Sequence, residues 1–127
     1  MITADQLLCH AIGDYVLQSD WMATEKTKRS VAALAHVATY ALPFLFLRPS
    51  LAALAVIVGT HFIIDRWRLA RFVCWAKNWM GPNRPWSECR GTGYPSERAG
   101  WMAVWLMIIA DNIMHVLING AALRWLP

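Results

Sequence analysis

Residues 99–123 read AGWMAVWLMIIADNIMHVLINGAAL. Apart from Asp111, Asn112, His115 and Asn119 the run is apolar on every face, which an ordinary surface helix is not. It is long enough to cross a hydrocarbon core of about 30 Å at a rise of about 1.5 Å per residue. Three further apolar segments precede it. Residues 3–18 form a short one striped with polar groups, residues 31–47 carry Pro43 but no formal charge before Arg48, and residues 51–64 run on through Asp65 into basic, aromatic sequence. Working outward from these, helices are expected over about 3–19, 30–47, 50–79 and 98–124, with Ser30 and Ser50 as caps. Gly81, Pro82, Asn83, Pro85, Gly91, Gly93 and Pro95 mark residues 81–97 as an irregular loop. The expected fold is all-α: a four-helix transmembrane bundle, one membrane domain over residues 1–127.

Composition agrees with that class. Apolar types make up 57% of the 127 residues and charged types 16%, against a globular norm of about 45–50% and about 25%. Mean hydropathy is +0.35, held down by one basic stretch. Of the net charge of +4, the distribution matters most. Arg66, Arg68, Arg71, Lys77, Arg84, Arg90 and Arg98 fall between the third and fourth apolar segments, and Lys26, Lys28 and Arg29 between the first and second. The other side has Arg48 and Arg124. Basic loops stay in the cytoplasm, so both termini are expected on the non-cytoplasmic side of a bacterial inner membrane. Trp21, Trp67, Trp75, Trp79, Trp101 and Trp125 flank the segments as interfacial anchors do. The basic run reads as a partner for anionic lipid head groups rather than for nucleic acid. A soluble helical bundle with core tryptophans is the competing reading. Cys9, Cys74 and Cys89 form no C-x-x-C pair, so neither a disulfide framework nor a zinc ribbon is expected.

The four histidines fall one in each apolar segment. Three have an aspartate four residues away: His10 with Asp14, His61 with Asp65, and Asp111 with His115. Residues at i and i+4 share a helix face, so each pair points one way. Gln18 and Asn119 extend two of these stripes, and His36 is followed at i+4 by Tyr40. Helices one and three read His then Asp, and helix four, running the other way, reads Asp then His. Antiparallel packing would then stack a layer of His10, His61 and His115 over one of Asp14, Asp65 and Asp111, about 6 Å apart.

Ionisable groups at bilayer depth are costly unless paired, and mark function by default. Imidazoles and carboxylates together suit a divalent ion: Zn, Mn or Fe. His10, Asp14, His61, Asp65, Asp111 and His115 are the expected ligands. That many ligands would also suit two ions bridged by a carboxylate. His36 is taken as a catalytic acid/base or a further ligand, and Gln18, Tyr40 and Asn119 as polar support. Two other readings stay open, a proton relay and structural pairing between helices.

The opening run Leu7, Leu8, His10, Asp14, Tyr15 and Gln18 matches L-L-x-H-x-x-x-D-aromatic-x-x-Q. With a lysine after it (Lys26 or Lys28), a lone His36 in the second helix and His61–Asp65 ending the third, it resembles a family of small bacterial and phage inner-membrane proteins known as a domain of unknown function. That resemblance covers the first 70 or so residues best and implies a polytopic membrane protein without implying an activity. A weaker similarity to inner-membrane metal-dependent hydrolases points to a reaction class. The expected function is therefore a metal-dependent hydrolase acting on a lipid or lipid-linked phosphoester. The alternatives are a non-enzymatic membrane partner, such as a phage factor that modifies the envelope, and a proton or metal transporter.

Overall fold

The computed structural model describes residues 2–82 and 84–126; Met1, Asn83 and Pro127 lie outside them. All regular elements among the described residues are helical. They are α1 (Ala4–Ala11), a π-turn (Ile12–Val16), α2 (Asp20–Glu25), α3 (Ser30–Leu45), α4 (Leu51–Trp67), α5 (Ala70–Ala76), a 3₁₀ turn (Lys77–Met80), α6 (Trp86–Cys89) and α7 (Gly100–Trp125). The chain falls into two compact units: residues up to Trp67 together with those from His115 on, and Arg68–Met114.

Local chemistry sets the boundaries. Thr3 Oγ1 accepts from Gln6 N–H (3.2 Å), Ser19 Oγ from Met22 N–H (3.3 Å) and Ser50 Oγ from Ala53 N–H (3.0 Å), satisfying N–H groups that a helix start leaves free. Ser30 is instead the first residue of α3, after Arg29 in extended conformation, and its hydroxyl accepts from Arg66 Nε at 3.3 Å. The third expected helix does not run unbroken to residue 79. Arg68 adopts φ +51°, a left-handed conformation that stops α4 and restarts the chain as α5. Arg48 does the same after α3 at φ +50°.

In the first unit, Cys9, Tyr40, Phe44, Ala53, Ile57 and Ala122 form the apolar core. Polar ties close its ends. Arg66 donates to the carbonyls of Thr27 (2.7 Å) and Lys28 (3.2 Å), and Ser50 donates to that of Leu126 (2.6 Å). Gln6, 1% exposed, donates from Nε2 to the Val116 carbonyl at 2.6 Å.

The second unit has its own core of Cys74, Tyr94 and Ala103, with Leu106, Met107 and Ala110 against it. Phe72 and Trp86 stack at 4.7 Å, and the Arg71 guanidinium lies 5.0 Å over Phe72. Lys77 and Arg98 lie over the Tyr94 ring at 5.4 and 5.2 Å. Much of the stretch expected to be irregular is thus packed around its own aromatics.

One helix among the described residues, α7, is long and apolar enough to cross a membrane, and only 17% of its most apolar 18-residue window is buried. The expectation of four such spans is not met by length. The 16 residues of α3 and 17 of α4 correspond to about 24–26 Å of helix.

Gly93 has φ +84°, and a Cβ there would lie 2.1 Å from the Arg71 carbonyl oxygen and 2.6 Å from Cys74 Cβ. Gly93→Ala is therefore expected to destabilise the protein by at least about 2 kcal/mol. Gly91→Ala, with nothing within 4 Å, is expected to change stability by less than about 1 kcal/mol. Thermal unfolding of the two variants in detergent, followed by circular dichroism, checks both.

Candidate metal centre

Five elements of the first unit bring the polar residues together. His10 comes from the last turn of α1, and Asp14 from the π-turn that follows. His36 and Tyr40 sit one turn apart on α3, His61 and Asp65 one turn apart on α4, and His115 and Asn119 on the C-terminal part of α7. The π-turn is marked by Leu17 N–H donating to the Ile12 carbonyl at 2.9 Å, five residues back. It is made possible by Gly13, whose missing side chain lets Tyr40 lie against the backbone.

Four side-chain atoms converge. His36 Nε2 and His61 Nε2 are 3.0 Å apart. Asp14 Oδ1 lies 3.2 Å from His36 Nε2 and 3.3 Å from His61 Nε2, and Asp65 Oδ2 lies 3.2 Å from each. These are five of the six separations among the four atoms, and each lies within a few tenths of an ångström of the about 3.3–3.4 Å between N and O ligands held at about 2.0–2.1 Å from a four-coordinate ion. Hydrogen bonding explains the arrangement less well. Asp14 Oδ1 is buried with no hydrogen-bond partner, despite two ring nitrogens in reach. Its nearest polar neighbours are the ring nitrogens of His36 and His61. The donor set, two neutral imidazoles and two carboxylates, is one that zinc and its neighbours accept.

The surroundings hold this set in place. Asp65 is nearly fully buried. Its Oδ1 lies 3.2 Å from His115 Nε2, while Oδ2 also accepts from Lys26 Nζ at 2.7 Å. Lys26 Nζ donates in turn to Gln18 Oε1 at 2.6 Å. The second oxygen of Asp14 lies 3.5 Å from His10 Nδ1, and the same nitrogen is 2.9 Å from the Tyr40 hydroxyl. That hydroxyl accepts from Asn119 Nδ2 at 2.6 Å. The His61 ring stacks on His115 at 3.9 Å and on Tyr40 at 3.7 Å. Ligating histidines usually donate their other nitrogen to a partner. Here Nδ1 of His36 and of His61 is buried without one, and for His61 the stacking sets the ring plane instead.

Most of the expected residues therefore meet, in a different order. Imidazoles and carboxylates do not form two separate layers: His36, His61, Asp14 and Asp65 share one cluster. His36 contributes a cage atom rather than standing apart as an acid or base. His10 stands outside the cage, behind Asp14. The groups able to hold an ion are Asp14–His36–His61 and His61–Asp65–His115, and Asp111 is in neither. Asp111 belongs to the other unit. Gln18 contacts Lys26, and Tyr40 lies between His10 and Asn119. Lys26 was not among the expected site residues. Its only mark in the sequence is a position in a polar turn, and no spacing rule links residue 26 to residue 65.

The family model described as "Protein of unknown function (DUF3307)" matches residues 2–126, and the chain belongs to that family. No curated protein and no solved structure matches it.

A Cβ on Gly13 would lie 2.5 Å from Tyr40 Cδ2 and 3.2 Å from its Cα. Gly13→Ala is expected to push Tyr40 off His61 and to destabilise by about 1–3 kcal/mol. Gly59→Ala, on α4 with nothing within 4 Å, is expected to be neutral or mildly stabilising. Thermal unfolding of the pair is the check, and equal melting temperatures would refute the close-approach argument.

Proposed function

We propose that this member of a family without an assigned activity is a multi-pass inner-membrane protein that binds one divalent ion and uses it to hydrolyse a lipid or lipid-linked phosphoester. The observation that carries the reading is the four-atom cage of Asp14, His36, His61 and Asp65, with edges of 3.0–3.3 Å. Zinc suits it best, since N and O ligands in a tetrahedral set are its usual environment, whereas manganese and magnesium favour octahedral oxygen. Cage atoms from only four residues favour a mononuclear centre over a dinuclear one.

The membrane part rests on exposed apolar surface. Phe46 is 88% exposed, Leu51 87% and Val31 69%, and Trp101, Trp105, Ile109, Ile113 and Leu117 form an exposed stripe along α7. Exposed apolar area on this scale is unusual in water and ordinary in lipid. The shorter α3 and α4 are accommodated by local thinning of the bilayer and by snorkelling of flanking basic residues.

When bound, the ion supplies Lewis-acid polarisation of a phosphoryl oxygen. The residues do the rest. Asp14, His36, His61 and Asp65 would hold the ion, which would polarise a phosphoryl oxygen brought to it. Asp14, at 11% side-chain exposure, is the most accessible cage ligand, and the approach is from its side. His10 steadies its second oxygen. With His36 in the cage, His10 is the histidine placed to carry a proton, through Tyr40.

Protein purified gently in detergent is expected to hold about one zinc-type ion per chain. His61→Ala and Asp65→Asn are expected to lose it, and Asp111→Asn to retain it. Elemental analysis decides: a wild-type content below about one ion per four chains would sink the metal reading. For the reaction, hydrolysis of phosphoester lipids, followed by the cleaved products, is expected to fall about 100-fold or more on chelation and to return with zinc. Turnover indifferent to chelation would remove the hydrolase reading while leaving metal binding standing.

A further inference from the structure

Among the described residues, Lys26 is the one lysine or arginine seated on the cage. Its ammonium donates at 2.7 Å to Asp65 Oδ2, the same oxygen that faces His36 and His61. A carboxylate oxygen has two lone pairs, so an ion on one and Lys26 on the other are compatible. The charge then has a definite sum. Asp14 and Asp65 cancel a divalent ion, the histidines must be neutral to ligate, and Lys26 leaves one positive charge over. The sum counts the groups in contact with the cluster; Arg66, charged as well, is directed to the Thr27 and Lys28 carbonyls, and Glu25 pairs with Lys28 at 3.0 Å.

Access has a direction too. The side chains of His36, His61, Asp65 and His115 are 0–3% exposed, whereas Asp14 is 11% and Lys26 18%. Asp14 and Lys26 are thus the solvent-touching members of the cluster.

Resting on the metal reading above, we infer that Lys26 is a substrate-binding residue and that the loaded centre takes a singly charged anion, a phosphodiester. Such an anion brings the buried centre to neutrality. A doubly charged phosphomonoester would leave a buried negative charge uncompensated, and a neutral ester would leave the positive one. Lys26 receives a non-bridging oxygen while keeping Asp65 in place.

The test uses the full-length protein in detergent, loaded with cobalt(II), whose visible spectrum reports coordination. Dimethyl phosphate, methyl phosphate and trimethyl phosphate are titrated as probes. Dimethyl phosphate is expected to perturb the spectrum at the lowest concentration. Lys26→Met is expected to take up cobalt to the wild-type level but to bind dimethyl phosphate about tenfold or more weakly, with Lys26→Arg restoring most of the affinity. Unchanged dimethyl phosphate affinity in Lys26→Met overturns the inference. So does loss of cobalt from that variant, which would make Lys26 a builder of the cage. Equal binding of the three probes to the wild-type protein overturns it without recourse to any variant. Wild-type protein that takes up cobalt but no phosphate sinks this inference alone. Wild-type protein that takes up no cobalt sinks the metal reading first, and this inference with it.

Discussion

Asp65 is a carboxylate almost wholly removed from water, and the first unit is arranged around keeping it charged. A buried carboxylate is several kcal/mol unfavourable unless opposite charge and hydrogen bonds surround it. Lys26 reaches it from the end of α2, His36 from α3, His61 from its own helix and His115 from α7. The helices that share the core of Cys9, Tyr40, Phe44, Ala53, Ile57 and Ala122 are thereby also tied at a common polar point. α3 and α4 expose large apolar side chains outward and place much of their chemistry inward. Gly13 against Tyr40 and Gln6 on the Val116 carbonyl serve the same purpose at other levels.

Much of this was legible in the residues. Asp14 and Asp65 are spaced from His10 and His61 by the helical repeat, and each pair does share a face. Helix positions followed from apolar runs and caps, which are local properties. Where the reading stopped short, the cause was tertiary. The break at Arg68 depends on a left-handed residue that is neither glycine nor asparagine, so no turn signal announces it. Asp111 obeys the same spacing as the other two aspartates, yet the spacing fixes a face of a helix and not its partner. His36, without an aspartate at helical spacing, looked the weakest of the four histidines and supplies one of the cage atoms. Its ligand partners lie on other segments, where a repeat within one helix cannot point.

The two units divide the chemistry. The first holds every residue of the cage. The second holds five of the nine arginines, two of them over aromatic rings: Arg71 over Phe72 and Trp86, Arg98 over Tyr94. Guanidinium groups in such stacks keep an apolar contact and a charge at once.

The π-turn at Ile12–Val16 is a helix carrying one residue more than its hydrogen bonds can use. Removing a single residue there would regularise the backbone and yield a sounder helix by every local measure. It would also turn Asp14 by about a quarter of a revolution or more, away from the histidines it faces. On this short segment helical stability and the placement of a carboxylate are opposed, and the chain retains the less stable backbone. Insertions and deletions between residues 11 and 17 should therefore be far less tolerated than substitutions, the reverse of what surface loops allow.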